Sequence, residues 1–494
     1  MWLTQLLERN RQCFPGRTAL VDDHRSVTWA ALDDRTARIA QGLAGLGIKP
    51  GDRVAVISLD RVEVLETYFA LARLGAVFVP LNHSLTPGEV SGIAERTGAT
   101  AVIGEAALLE RHPDLPVTLR IAFESEEFTG LADPAATCDA AALPDVPDDA
   151  VAAILHTSAT TGQAKGVTVD HASFRAIALG WLTSAAPTAD MVVVNCCPLY
   201  HGSMVVSLTY MAAGATVVLM PGFTPQRALS AIAEHRATHV WLVPQMLRFM
   251  LQAKTLESTD LSSLQEVLYG AAPMPVDLYA EAAERLGCGF RQVYGMTEVG
   301  GPYVTLGPAE HPDPQGELPE VIPAGRVIPG MSVRILDTDD TVLGPDAIGE
   351  VVVRGPGLMR GYWNDEAATK EVTVDGWIRT GDLGLLDGDG RIHLVDRRKD
   401  LIIRAGQNVY PAEIERALRT HPAVRDAAVV GIPDADYGEV PLAYVVATEG
   451  TQPAELMGHL ARELAPYKRP RRIELIDHVP RNPAGKILKK LLRA

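Results

Sequence analysis

Four short segments carry residue types suited to phosphate oxygens, a flat ring and a sugar diol. The first, Thr157-Ser158-Ala159-Thr160-Thr161-Gly162-Gln163-Ala164-Lys165-Gly166, follows closely on the run Val151–Leu155. Hydroxyls, a glycine and a lysine on a loop after a strand can hold phosphate oxygens through backbone N–H groups, with the ammonium adding charge. The GxxxxGK[ST] spacing of a Walker loop is absent. The second, Gln292-Val293-Tyr294-Gly295-Met296-Thr297-Glu298, comes after Tyr269-Gly270-Ala271-Ala272-Pro273. Small residues at 270–273 let a flat ring lie on the backbone, and Tyr294 can stack over it. Thr297 can donate to a phosphate and Glu298 offers hard oxygens to Mg²⁺. In the third, Trp377–Leu383, Asp382 sits beside Gly381 and is suited to accept hydrogen bonds from a ribose diol; Asp396-Arg397-Arg398-Lys399-Asp400 follows. The fourth is Arg481-Asn482-Pro483-Ala484-Gly485-Lys486. Each segment alone also has a plain structural reading: a polar turn, a core tyrosine, a turn-forming aspartate, a basic terminal helix.

Short β-branched runs alternate with amphipathic stretches and must position these segments. Val54–Ser58, Val77–Leu81, Ala101–Gly104, Val151–Leu155, Met191–Asn195, Ala215–Met220 and Thr238–Val243 read as strands, and Val62–Leu74 and Pro225–His235 as helices. Such alternation predicts an α/β fold with parallel sheets buried on both faces. Residues 144–149 read as a loop, and Gly307–Gly325 as a long surface loop. From about Gly330, alternating strands and Gly/Asp turns predict a small antiparallel β subdomain, and a compact α/β tail follows Lys399.

The 494 residues, 47% apolar and 21% charged, have a soluble globular composition. At roughly 150 residues per domain the length suggests about three domains. The formal charge of −16 argues against nucleic acid and anionic membranes as partners, so an anionic ligand must meet a local positive cluster. Between Pro466 and Ala494, nine Lys and Arg residues face only Glu474 and Asp477, which supplies one. Five cysteines without CxxC spacing fit a reducing compartment. No signal-peptide core or membrane span is predicted, and a cytoplasmic location is expected.

In order and spacing the segments resemble the signature set of the ANL superfamily of adenylate-forming enzymes. The resemblance runs from TWAAL at 28–32 and ALARLGAVFVPLN at 70–82, through PLYH at 198–201, to PRNPAGKILKK. It implies an AMP-forming acyl-CoA ligase that uses ATP, Mg²⁺ and coenzyme A to turn a carboxylic acid into an acyl-adenylate and then a thioester. It implies a large multi-lobed N-terminal domain (1–398) and a small mobile α+β C-terminal domain (399–494). Carried over by residue, Ser158, Thr160, Thr161, Gly162 and Lys165 would hold the β- and γ-phosphates. Gly270, Ala271, Ala272, Pro273, Tyr294, Gly295 and Met296 would line the adenine site, with Thr297 on the α-phosphate and Glu298 on Mg²⁺. Asp382 and Arg397 would bind the ribose. Lys486 would bridge the acid and the α-phosphate, and His201 would gate the acyl pocket. Lys399 would be the hinge, bringing Arg404–Asn408 with Gly406 to the pantetheine tunnel.

The residues around PLYH carry no Lys or Arg, so an apolar aliphatic or aromatic monocarboxylic acid is expected, since a second carboxylate would be left unpaired. Three departures stand out: Ala159 where the family has Gly, Ala164 where it has Pro before the lysine, and Ala405 for the first glycine of a pair. Two alternatives stay open: loading of a carrier protein, and a degenerate member that makes thioesters without efficient adenylation. The absence of a fused carrier domain after Lys486 favours free CoA. Oligomeric state is not legible.

Overall fold

The computed structural model describes residues 2–133, 143–157, 164–200, 202–481 and 487–493. The chain forms two compact units, Met1–Ser332 with Arg354–Ile378, and Val333–Val353 with Arg379–Ala494.

The first unit is built on two largely parallel sheets. In the seven-stranded sheet, Arg53–Ile57 pairs in parallel with Val77–Leu81 and Ala101–Gly104. Val151–His156 lies on the other side of Val77–Leu81 and turns back, antiparallel, into Gly166–Asp170. The nine-stranded sheet carries Val192–Asn195, His239–Leu242, Glu266–Gly270 and Gly289–Met296 as parallel neighbours. Both sheets are Val- and Ile-rich because strands covered on two faces place nearly every side chain in the core. Val77–Leu81 is buried at all five positions, and the helix Val62–Leu74 along its whole length. The expected strands appear in place, each end within one residue of its expected bound, because β-branched runs bounded by polar turns leave the register little choice.

Parallel strands direct their carboxyl ends and the loops after them to one edge of the sheet, where ligands bind in folds of this kind. Four of the segments singled out above lie in this unit at such ends: the loop after Val151–His156, the turn after Val192–Asn195, and the ends of Glu266–Gly270 and Gly289–Met296.

The strand Trp377–Leu386, which lies in the second unit from Arg379 onward, hairpins antiparallel onto Ile392–Arg397. The C-terminal part has the strands Val424–Asp434 and Gly438–Ala447 paired antiparallel, with helices Pro411–Arg419 and Pro453–Glu463. Its core includes Ile402, Ile414, Leu418, Val429, Val445 and Leu460. The antiparallel sheet expected from Gly330 onward contributes most of its strands to this unit. No described helix is long and apolar enough to cross a membrane. The four described cysteines, Cys13, Cys196, Cys197 and Cys288, are free thiols.

Candidate active site

The loop expected to hold phosphates starts and ends on a tight antiparallel ladder. His156 pairs with Gly166, and the Thr157 amide donates to the Lys165 carbonyl at 3.2 Å, so both ends of the loop are fixed. Burial pushes the His156 imidazole down to about 4, with the Arg96 charge acting in the same direction, so the residue beside the loop is neutral at pH 7. Ser158, Thr160, Thr161 and Gly162, along with His201 and Lys486, lie outside the described residues.

Half-buried Lys165 sets its ammonium over the Tyr362 ring, 4.9 Å from the centroid. The hydroxyl of the same tyrosine donates to Glu298 Oε1 at 2.8 Å. Tyr362 reaches this position because Gly361–Tyr362 pairs antiparallel with Val167 and Thr168, directly after the lysine. The Met359 amide donates to the Glu298 backbone carbonyl at 2.9 Å, a second tie between the same two segments. Burial, reinforced by the Glu298 charge, raises the phenol well above its ordinary range, so it remains a donor at any working pH. Sequence reasoning missed Tyr362. Its place beside two candidate residues arises from a pairing of distant strands that no local pattern encodes.

Glu298 offers hard oxygen donors on a partly exposed side chain, suited to Mg²⁺ that keeps several non-protein ligands. Among the described residues no cluster of three His, Cys, Asp or Glu side chains could enclose a metal.

The adenine candidates lie on neighbouring strands: Gly270 is in register with Val293, one residue before Tyr294. A Cβ on Gly270 would sit 2.4 Å from the Val293 carbonyl and 3.1 Å from the Trp241 ring, so only glycine allows this approach. Ala271 follows at φ +64, a conformation that alanine adopts at a cost, and turns 271–273 outward into a partly exposed strip. Tyr294 is half-buried and tilts against Tyr303 with ring centroids 5.3 Å apart. Gly295 is exposed, and Met296 and Thr297 are half-buried.

The second unit holds the ribose candidates and the candidate hinge residue. Asp382 is buried and in register with Arg397, whose Nε lies 2.6 Å from its Oδ1. Thr380 Oγ1 accepts from the Asp382 amide at 3.0 Å and shapes the turn. Lys399 lies in a single 3₁₀ turn between two anchored neighbours: Arg398 bonds Glu350 at 2.8 Å, and Arg493 bonds Asp400 at 2.8 Å. Gly406 is exposed at φ +80, and Ala405 before it has φ +49. The substitution at 405 thus puts a side chain in the left-handed region, where a glycine would be unstrained. Arg404 steadies this hairpin by donating to the Tyr467 carbonyl at 2.8 Å and stacking on Tyr437 at 4.9 Å.

Comparison with known proteins gives the same assignment over the whole chain. The family model for AMP-binding enzymes matches residues 7–363, and that for the AMP-binding enzyme C-terminal domain matches residues 413–486. The chain is 38% identical to the fatty acid–[acyl-carrier-protein] ligase ScoC of Streptomyces coeruleorubidus, over 99% of this chain and 96% of that one. It is 37% identical to a feruloyl-CoA synthase of Amycolatopsis, over 98% and 97%. Among solved structures, the o-succinylbenzoate CoA synthetase MenE of Bacillus subtilis, in complex with its acyl-adenylate intermediate, superposes with a TM-score of 0.87. It is 30% identical, and the match covers 99% of this chain and 98% of that one.

Proposed function

The chain belongs to the AMP-binding enzyme family and is an AMP-forming acyl-CoA ligase using ATP, Mg²⁺ and CoA, and on that premise we propose how its residues divide the work and which acids it takes. The observation that carries the proposal is Tyr362, which joins the lysine of the phosphate loop to the carboxylate expected to bind metal.

A carboxylate attacking the α-phosphorus of ATP meets a polyanion, so catalysis is mainly charge placement. Lys165 and the loop before it hold the terminal phosphates, and Thr297 donates to the α-phosphate. Glu298 would hold Mg²⁺, which when bound would supply positive charge to the phosphates. Gly270–Pro273 and Tyr294 grip the adenine. Asp382 accepts from the ribose hydroxyls, held in place by Arg397. Lys486 bridges the acid and the α-phosphate. After adenylation, the segment from Lys399 onward turns as a separate domain (399–494, against 1–398). That motion withdraws Lys486 and brings Arg404–Asn408 to the site for thioester formation.

The acid is an apolar monocarboxylic acid, aliphatic or aromatic. Met204, Val205, Trp241, Val243 and Val299, from the candidate acyl-pocket stretches, are all buried and uncharged. A second carboxylate there would lack a partner. The relatives, one named for a fatty acid and one for a feruloyl group, are in keeping with an apolar body. CoA is the acceptor; the carrier-protein ligase among the relatives makes a carrier phosphopantetheine the second reading. A cytoplasmic setting supplies both ATP and CoA.

The test is a panel of monocarboxylic and dicarboxylic acids with ATP, reading AMP and thioester together, with CoA or a phosphopantetheinylated carrier protein as acceptor. Turnover of apolar monoacids with CoA is expected. Preference for a diacid would overturn the substrate assignment, and thioester formed only on the carrier would establish the second reading.

A further inference from the structure

The turn between Val192–Asn195 and the helix Ser203–Ala212 holds Pro198-Leu199-Tyr200 immediately before His201. Its own sheet supplies local ties. Asn195 Oδ1 accepts from the Cys197 amide at 3.1 Å, and the Cys196 amide donates to the Trp241 carbonyl at 3.0 Å. Ser203 Oγ donates back to the Pro198 carbonyl.

Two further ties come from the other sheet. Asp60, in the loop after Arg53–Ile57, accepts the Leu199 amide on Oδ1 at 2.9 Å. His83, in the loop after Val77–Leu81, meets the Tyr200 ring edge-on, with centroids 5.6 Å apart. Arg53–Ile57 and Val77–Leu81 are adjacent strands, so consecutive loops at one sheet edge hold one turn of the neighbouring sheet. The Asp60 loop is itself fixed: Glu105 Oε1 accepts from both Ser58 Oγ and the Leu59 amide at 2.8 Å.

Asp60 lies at the start of the helix Val62–Leu74 but is not its N-cap, which is Arg61. Its residue surface is only 6% exposed, and no cation is paired with it among the described residues. A buried carboxyl of this kind is costly unless a specific contact needs it. The contact it makes is with the turn.

We propose that Asp60 is a positioning residue for the acid substrate: it ties the Leu199 turn, and with it one wall of the acyl pocket, to the opposite sheet, and His83 supports the same turn. This rests on the proposed placement of the acyl pocket at that turn. Burial lifts the Asp60 carboxyl to about 8, so at pH 7 it is mainly neutral, and an asparagine amide oxygen can accept the same N–H.

The experiment compares Asp60→Ala and Asp60→Asn with wild type in acid-dependent pyrophosphate exchange across a chain-length series, together with amide hydrogen exchange at Leu199. In Asp60→Ala the KM for the acid is expected to rise about tenfold or more, with an altered size preference, since small displacements of substrate-positioning groups cost rates of this order. The KM for ATP should stay within about twofold, and Asp60→Asn should restore the acid KM. An unmoved acid KM and size profile would overturn the proposal; so would acid and ATP KM rising together without rescue by asparagine. Should Asp60→Ala not fold, His83→Ala, at a half-exposed site, carries the same expectation and the same refutation. Hydrogen exchange separates the two readings. Faster Leu199 exchange in Asp60→Ala without any acid-dependent activity in wild type means that the tie exists and the functional reading has failed. Unchanged exchange means that the tie itself is absent.

Discussion

Tyr362 donates its hydroxyl to Glu298 at 2.8 Å while its ring faces the Lys165 ammonium at 4.9 Å, so one side chain spans two of the groups proposed to bind triphosphate and metal. Tyr362→Phe keeps the ring and removes the hydrogen bond. A hydrogen bond to a charged group contributes about 1.5–3 kcal/mol, so the concentration of Mg²⁺ giving half-maximal adenylation should rise roughly tenfold or more. The KM for the acid should not move. A magnesium titration of pyrophosphate exchange measures both, and an unchanged Mg²⁺ dependence would separate Tyr362 from the metal.

Asp382→Asn leaves an acceptor for the ribose but takes the counter-charge from Arg397, 2.6 Å away. The ribose hydrogen bonds lose their ionic component, and Arg397 loses the partner that orients it. The KM for ATP is expected to rise about tenfold or more, with little change in the KM for the acid. Equal changes in both, measured by initial rates, would place Asp382 outside the nucleotide site.

What could be read from the chain alone depended on how local its cause was. Val77–Leu81, Ala101–Gly104 and Val62–Leu74 match the expected bounds residue for residue, because a buried β-branched run or a helical apolar face is a property of neighbours in sequence. Asp382 and Arg397, too, meet across a hairpin that the alternating strands and Gly/Asp turns after Gly330 already imply. Tyr362 is 64 residues from Glu298, and Asp60 is 139 from Leu199. In sequence the first is one aromatic in a Gly-Tyr-Trp turn and the second one aspartate before a helix. Their roles depend on strand pairing and on two sheets meeting, which periodicity does not report.

Lys486→Ala should lower adenylation by roughly 10²–10³-fold or more, the scale for losing one preorganised charge at a developing oxyanion. Conversion of supplied acyl-adenylate and CoA to thioester should be affected far less, because that step has no pyrophosphate to displace. Pyrophosphate exchange near the wild-type rate would remove the lysine from the reaction.

Asp60 makes stability depend on pH in a defined direction. Its folded carboxyl titrates at about 8 because of burial, against about 4 in an unfolded chain. Between those values the native state holds a proton that the unfolded state has lost, so this group makes stability fall as pH rises from about 4 to about 8 and level off above. The titratable neighbours Cys197 and Tyr200 are held neutral by burial and do not offset it. Asp60→Asn removes the slope. The Tm of the variant relative to wild type should therefore climb between pH 5 and about 8.5; a constant difference across that range would mean that the carboxyl is already ionised in the native protein.

Lys399→Pro tests whether thioester formation needs a backbone change at the hinge. Arg398–Asp400 is one 3₁₀ turn whose two ends are tied by the Arg398–Glu350 and Asp400–Arg493 pairs, leaving the middle residue as the place where dihedral change is least restrained. Proline fixes φ near −65° and restricts Arg398 before it, so a second conformation of this turn becomes inaccessible. Thioester formation should fall at least tenfold more than pyrophosphate exchange if, as proposed, only the second half-reaction uses the rotated state. Parallel assays of the two half-reactions on one preparation supply the ratio. A ratio near one would mean that both half-reactions use a single arrangement of the chain at position 399.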